Sequence, residues 1–232
     1  MNNKKVCFIS CVNNYDEYNT ALRYIQSLKI PNGYEIETIA IENAVSLTSG
    51  YNEAMKKSDA KYKVYIHQDT YILNKDFLYD IITLFEKKPK LGAAGVLGAK
   101  GIPGISGVWP RRLTYGGLYH APTKGAMELI WFYNVKNEYE RVLAVDGFIM
   151  FTQYDLLWRE DVFQGWHFYD ISQSLEFVKA GYEVGVVKQT RPWCLHDSGI
   201  ISLEGYEENR NIFLQYYDTD IRNNQWRLFW NV

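Results

Sequence analysis

The sequence predicts an α/β domain: an open, mostly parallel sheet flanked by helices, with a small antiparallel portion in the second half. Three observations carry this. Strand-like and helix-like segments alternate three times over the first 90 residues. The strand-like segments are apolar and β-branched runs, the pattern of strands covered on both faces. Each of the first three ends in polar side chains, where open α/β sheets gather ligands.

In chain order, VCFISCV (6–12) is the first strand and stops at Asn13 and Asn14. A helix follows, with Tyr18, Leu22, Ile25 and Leu28 at helical spacing. Asp16 and Glu17 stand near its start, and Pro31, Asn32 and Gly33 follow its end. YEIETIAI (34–41) is the second strand and breaks at Glu42 and Asn43. A short helix from about Ser49 leads to YKVYI (62–66), the third strand, which runs into His67, Gln68 and Asp69. Asn74 is placed to cap a helix whose apolar positions are Phe77, Ile81, Leu84 and Phe85.

The second half reads differently. Leu91 to Gly125 is glycine-rich, with Pro103, Pro110 and Pro122; it predicts a strand at Ala93–Leu97 and then a long loop. MELIWFY (127–133) and RVLAVDGFIMF (141–151) are antiparallel strand candidates, the second broken at Asp146 and Gly147. A helix over 170–180 buries Ile171, Leu175 and Val178 and stops at Gly181. YEVGVV reads as the last strand, WCLHDSG as a loop, and Tyr206 to Tyr217 as a terminal helix.

The bulk numbers bound the function. A length of 232 residues fits one domain, and 47% hydrophobic with 16% aromatic residues excludes disorder. A net charge of -2 gives no general attraction to nucleic acid, so no nucleic-acid partner is expected. Cys7, Cys11 and Cys194 are odd in number and read as thiols in a reducing compartment. No apolar run approaches the roughly 20 residues that span a bilayer, and the N-terminus carries no signal sequence; a cytoplasmic, soluble chain is expected.

Taken alone, His67 and Asp69 admit two readings. On an extended chain both side chains point the same way, so they can share a divalent ion. Alternatively, Asp69 makes a local turn bond and His67 packs at the core edge.

Six segments together resemble the family-2 glycosyltransferases of the GT-A fold, including their bacterial glycosyltransferase-like branch. They are Glu42-Asn43, Gly50-Tyr51-Asn52-Glu53-Ala54, His67-Gln68-Asp69, Val145-Asp146-Gly147-Phe148, Tyr169-Asp170 with Ala180-Gly181-Tyr182, and His196-Asp197-Ser198-Gly199. The family pattern has Asp-x-Asp where this chain has His67-Gln68-Asp69, Glu-Asp where it has Tyr169-Asp170, and arginine where it has Tyr51.

The resemblance implies a GT-A nucleotide-diphospho-sugar transferase fold over 1–232, with a nucleotide-binding half at 1–100 and an acceptor-binding half at 101–232. It implies a metal-dependent, inverting enzyme of polysaccharide biosynthesis that uses a UDP-, GDP- or dTDP-sugar and a glycan or other hydroxyl acceptor, working near a membrane surface. Asn13, Glu42, Asn43, Asn52, His67, Asp69 and Asp146 would bind the nucleotide sugar. Asp69, with His67 and His196, would hold Mn²⁺ or Mg²⁺. Asp170 would be the general base, or would N-cap its helix. Asp146 orients hydroxyls or marks a turn. Trp109, Trp131 and Trp166 stack on sugar or fill the core, and Arg111 and Arg112 clamp diphosphate or are surface charge. His120 and His167 carry no assignment.

Two alternatives remain: a GT-A domain that binds without turnover, and a nucleotidyltransferase. The second lacks its phosphate loop, since CVNNYDEYN has neither glycine nor lysine. A dinucleotide oxidoreductase lacks its Gly-x-Gly-x-x-Gly.

Overall fold

The computed structural model describes residues 1–102, 109, 111–123, 125–199, 202–223 and 227–228. Its first part is β1 (Asn2–Val12), α1 (Tyr15–Gln26), β2 (Glu35–Glu42), α2 (Leu47–Lys57) and β3 (Ala60–Ile66). β1 lies between β2 and β3 and is parallel to both. Side chains alternate across β1: Val6 and Phe8 enter one core layer, Cys7 and Ile9 the other. That double burial is why the strand reads as an unbroken apolar run.

Local capping sets the helix starts. Asn14 accepts from the Asp16 N–H at 3.1 Å and opens α1. Ser46 and Ser49 form a reciprocal capping box, so α2 begins at Leu47 and not at Ser49. Asn74 does not cap the next helix. It accepts from the Asp76 N–H at 3.1 Å and donates to Asp80 at 2.7 Å, a turn that precedes the helix.

The chain continues through β4 (Thr70–Ile72), α3 (Phe77–Lys87), β5 (Leu91–Gly95), β6 (Leu97–Ala99), β7 (Gly101–Ile102), β8 (Thr114–His120) and β9 (Glu128–Trp131). Then come β10 (Tyr139–Val142), β11 (Ala144–Val145), β12 (Ile149–Thr152), α4 (Tyr169–Lys179), β13 (Glu183–Val187), β14 (Cys194–His196), α5 (Tyr206–Asn223) and β15 (Arg227–Leu228). The main sheet has the order β10-β13-β5-β12-β3-β1-β2, with β12 and β10 antiparallel to their neighbours. A second sheet runs β11-β6-β8-β14-β4, with β9 on β8.

Several expectations change in the second half. The long loop contains β8, whose TYGGLYH pairs with β6, β9 and β14; Pro103 and Pro110 lie outside the described residues. The strand candidates at 127–133 and 141–151 do not pair with each other. The first is β9 on β8, and the second divides between the two sheets as β10, β11 and β12. WCLHDSG is not a loop throughout: Cys194–His196 is β14, held between β4 and β8. Gly181, at φ 86°, ends α4 as expected, its N–H reaching Val178 at 3.0 Å. Among the described residues no helix is long and apolar enough to cross a membrane.

Candidate functional site

A cavity of about 420 Å³ opens at the carboxyl ends of β1, β2 and β3. Cys11, Asn13, Asn43, Tyr51, His67, Gln68, Asp69 and Trp166 are in its wall. Gln68 joins the end of β3 to the loop after β1. It accepts from the N–H groups of Asn13 (2.9 Å) and Asn14 (3.0 Å) and donates to Asn13 Oδ1 at 2.7 Å. The wall is therefore tied across two strands by one side chain.

His67 and Asp69 do share one side, but strand alternation is not the cause. Residues 67–70 form a turn closed by Thr70 N–H to His67 C=O at 3.2 Å, because the chain leaves the main sheet at Ile66 and enters the second sheet at Thr70. β14 brings His196 to the same place. His196 is in register with Thr70, and the Asp197 N–H reaches the Asp69 carbonyl at 2.9 Å.

One ligand atom from each of His67, Asp69 and His196 lies within 4.8 Å of the others. His196 Nε2 and Asp69 Oδ1 are 3.3 Å apart, and neither has an aligned hydrogen bond although both are buried. Buried polar atoms are ordinarily partnered, so this pair is what a cation site requires. Burial pushes the His67 imidazole down to about 4, against the raising effect of Asp69, and leaves it neutral at pH 7 as a ligand must be. Burial pushes Asp69 up, but the His196 contact outweighs it and holds the carboxyl at about 2.

On the other side of His67, the Tyr169 hydroxyl lies 2.5 Å from Nε2. A Cβ at residue 147 would collide with that hydroxyl, which is why glycine follows Asp146. Asp170 comes next. Its carboxylate accepts from the N–H groups of Gly147 and Ile171, both at 2.9 Å. It is not the cap: α4 starts at Tyr169, and Phe168 holds the cap position at φ 62°. Burial, and then the charge of Asp146, push the Asp170 carboxyl up to about 7.

Residues 7–217 match the family described as glycosyltransferase like. The chain belongs to that family. Among the solved structures that share its fold, the GT-A fold expected above, are two complexes. One is the mannosyltransferase PcManGT of Pyrobaculum calidifontis, in complex with GDP-Man and Mn²⁺ (TM-score 0.57, 12% identity, covering 94% of this chain and 64% of that one). The other is S. aureus TarS 1-349 in complex with UDP (TM-score 0.50, 11% identity, 91% and 64%). This glycosyltransferase-like chain thus spans 64% of the length of either structure. No curated protein matches its sequence.

Of the residues expected to bind the nucleotide sugar, Asn13, Asn43, His67 and Asp69 line the cavity of this glycosyltransferase-like protein. Glu42 does not; its carboxylate accepts from the Tyr15 hydroxyl. Asp146 turns to the Trp109 indole, which donates to it at 2.7 Å. Asn52 is 1% exposed and lies off the cavity wall. It donates to the Trp158 carbonyl and accepts from the Trp158 N–H, both at 2.9 Å. Its amide matches a backbone unit, which explains the residue type without any ligand. Replacing Asn52 with alanine should therefore cost on the order of 2–4 kcal/mol of stability by orphaning two buried groups, with donor affinity unchanged when calorimetry is run below the lowered melting temperature.

Trp166 is 51% exposed on the cavity wall, whereas Trp131 donates to Asn134 at 2.8 Å. Arg111 and Arg112 are exposed on a short 3₁₀ turn. His120 lies between Glu128 and Ser198, at 3.0 Å from each, and His167 is 3.0 Å from the Glu204 carbonyl. Sequence reasoning gave no role to Gln68 or Tyr169, which the structure places against Asn13 and His67. The signal for Tyr169 was its place in a slot where the family pattern has an acid.

Proposed function

We propose that this chain transfers a sugar from a nucleoside diphosphate sugar to an acceptor hydroxyl with inversion at the anomeric carbon. The observation that carries the reading is the cavity at the carboxyl ends of β1, β2 and β3, whose wall holds His67 and Asp69, with His196 completing a cluster of three convergent ligand atoms. Asn13, Asn43 and Trp166 would meet the nucleoside and sugar, with Trp166 offering an exposed ring face. His67, Asp69 and His196 would hold a divalent ion. When bound, that ion stabilises the charge gathering on the leaving diphosphate without a proton transfer.

Asp170 is the proton acceptor in this reading. The acceptor oxygen forms a bond to the anomeric carbon while the bond from that carbon to the diphosphate oxygen breaks. The acceptor's proton passes to the Asp170 carboxylate, and the bonding electron pair leaves with the diphosphate. The N–H groups of Gly147 and Ile171 hold the carboxylate in place, and a carboxyl raised to about 7 suits proton transfer near neutral pH.

The pH dependence has a definite sign. Turnover requires ionised Asp170, so kcat should rise with pH and level off above about 7. Stability should move the other way. The folded carboxyl holds its proton to about 7 and the unfolded one only to about 4, so stability falls as pH rises through that window. A melting series from pH 5 to 8 should accordingly move in favour of Asp170→Asn over the parent protein as pH increases. A kcat independent of pH from 5 to 8 would remove Asp170 from the mechanism.

The reading itself is tested by incubating the protein with UDP-, GDP- and dTDP-sugars, Mn²⁺ and a panel of glycan acceptors. Release of one nucleoside diphosphate with formation of the inverted glycoside is expected. Binding of a nucleotide with no transfer to any acceptor would favour a binding domain without turnover.

A further inference from the structure

We propose that His67, Asp69 and His196 form a site selective for divalent transition ions over Mg²⁺ and Ca²⁺, with Tyr169 as the positioning residue that fixes His67 as a ligand. This rests on the metal-assisted sugar transfer proposed above and narrows it to a class of ion.

The donor chemistry is the first argument. Two of the three side chains are imidazoles and one is a carboxylate. Mg²⁺ and Ca²⁺ take oxygen ligands, and Mg²⁺ gives up its water reluctantly. Imidazole nitrogen suits the later first-row ions, whose affinity for such sites rises from Mn²⁺ through Co²⁺. A pair of carboxylates at positions 67 and 69 would favour the hard ions. Histidine at 67 removes one of those carboxylates, and His196 brings a second nitrogen beside Asp69.

The second argument is the pairing of two departures. Position 67 lacks the first acid of Asp-x-Asp, and position 169 lacks the first acid of the later Glu-Asp. In the structure these two residues touch, His67 Nε2 to Tyr169 hydroxyl at 2.5 Å. Tyr169 is 5% exposed, its ring packs near those of Tyr51 and Trp158, and Gly147 leaves its hydroxyl room. It is therefore a fixed anchor. With Nε2 engaged there, Nδ1 is the nitrogen that His67 offers to an ion. Ligating histidines are characteristically oriented by such a bond on the other ring nitrogen, and losing it costs roughly 10- to 100-fold in metal affinity.

The test is calorimetric titration of the full chain, without nucleotide, against Mg²⁺, Ca²⁺, Mn²⁺ and Co²⁺ in turn. The expected order is Co²⁺ tightest, Mn²⁺ weaker by about 10-fold, and Mg²⁺ and Ca²⁺ weaker again. Tyr169→Phe should weaken Co²⁺ binding by roughly 10- to 100-fold and alter the visible absorption of bound Co²⁺. His67→Asp should narrow the gap between Co²⁺ and Mg²⁺.

Mg²⁺ binding as tight as Co²⁺ would overturn the selectivity, and parent-like Co²⁺ affinity in Tyr169→Phe would overturn the role of Tyr169. Should no ion bind while a nucleoside diphosphate still does, this inference fails and the nucleotide cavity stands. Co²⁺-selective binding with no nucleotide bound would leave the inference standing and defeat the transfer reading.

Discussion

Replacing Asp69 with alanine is expected to lower kcat/KM by a factor on the order of 10³ and to abolish metal-dependent donor binding. Asp69 is the only carboxylate in the ligand cluster, and without it two imidazoles would face the proposed diphosphate site with no anionic ligand between them. The fold should survive. Asp69 Oδ1 has no hydrogen-bond partner, and the join between β4 and β14 is made by backbone groups, including the Asp69 carbonyl. Melting near the parent temperature with activity lost would place the effect in the site. A folded Asp69→Ala protein with parent-like turnover would show that the chemistry does not need this cluster.

Asp170→Asn carries the second large effect, a fall in kcat by a factor of about 10² to 10⁴ with donor affinity kept. The amide preserves the shape of the side chain, but it cannot take a proton from the acceptor. One of the two bonds to the Gly147 and Ile171 N–H groups is also lost, because an amide presents one oxygen where the carboxylate presents two. Measuring kcat and donor Kd together separates the two consequences. Loss of donor affinity with kcat intact would make Asp170 a structural residue of the 146–148 turn.

The first half of the fold was legible because its code is simple. In β1, Val6 and Phe8 face one core and Cys7 and Ile9 the other, so the strand announces itself as an apolar run. Helix α3 is equally plain, with Phe77, Ile81, Leu84 and Phe85 all buried. The second half depends on tertiary pairing. TYGGLYH forms β8 only because β6, β9 and β14 flank it, and CLH is too short to show a period.

The same division holds at the site. The nearness of His67 and Asp69 could be read from adjacent positions, whereas the turn that gathers them could not, since it comes from a change of sheet at Thr70. His196 was visible only through resemblance; its contact with Asp69 is made by β14, a strand that the sequence pattern conceals. Asn52 shows the opposite case. An asparagine in a family motif invites a ligand role, but its environment is a buried backbone unit at Trp158. Burial of a polar side chain against a distant backbone leaves no local trace in the sequence.

The most direct test of the central claim, a metal-assisted nucleotide-sugar site at the ends of β1 to β3, is calorimetry of the full chain against UDP, GDP, dTDP and their sugars. Each titration is run with Mn²⁺ and repeated with EDTA. The account predicts that one nucleotide class binds with Mn²⁺, that EDTA weakens this binding by at least about 10-fold, and that Asp69→Ala behaves like the EDTA sample. Binding that is equally tight with EDTA, or no binding of any nucleotide by the folded protein, would contradict it.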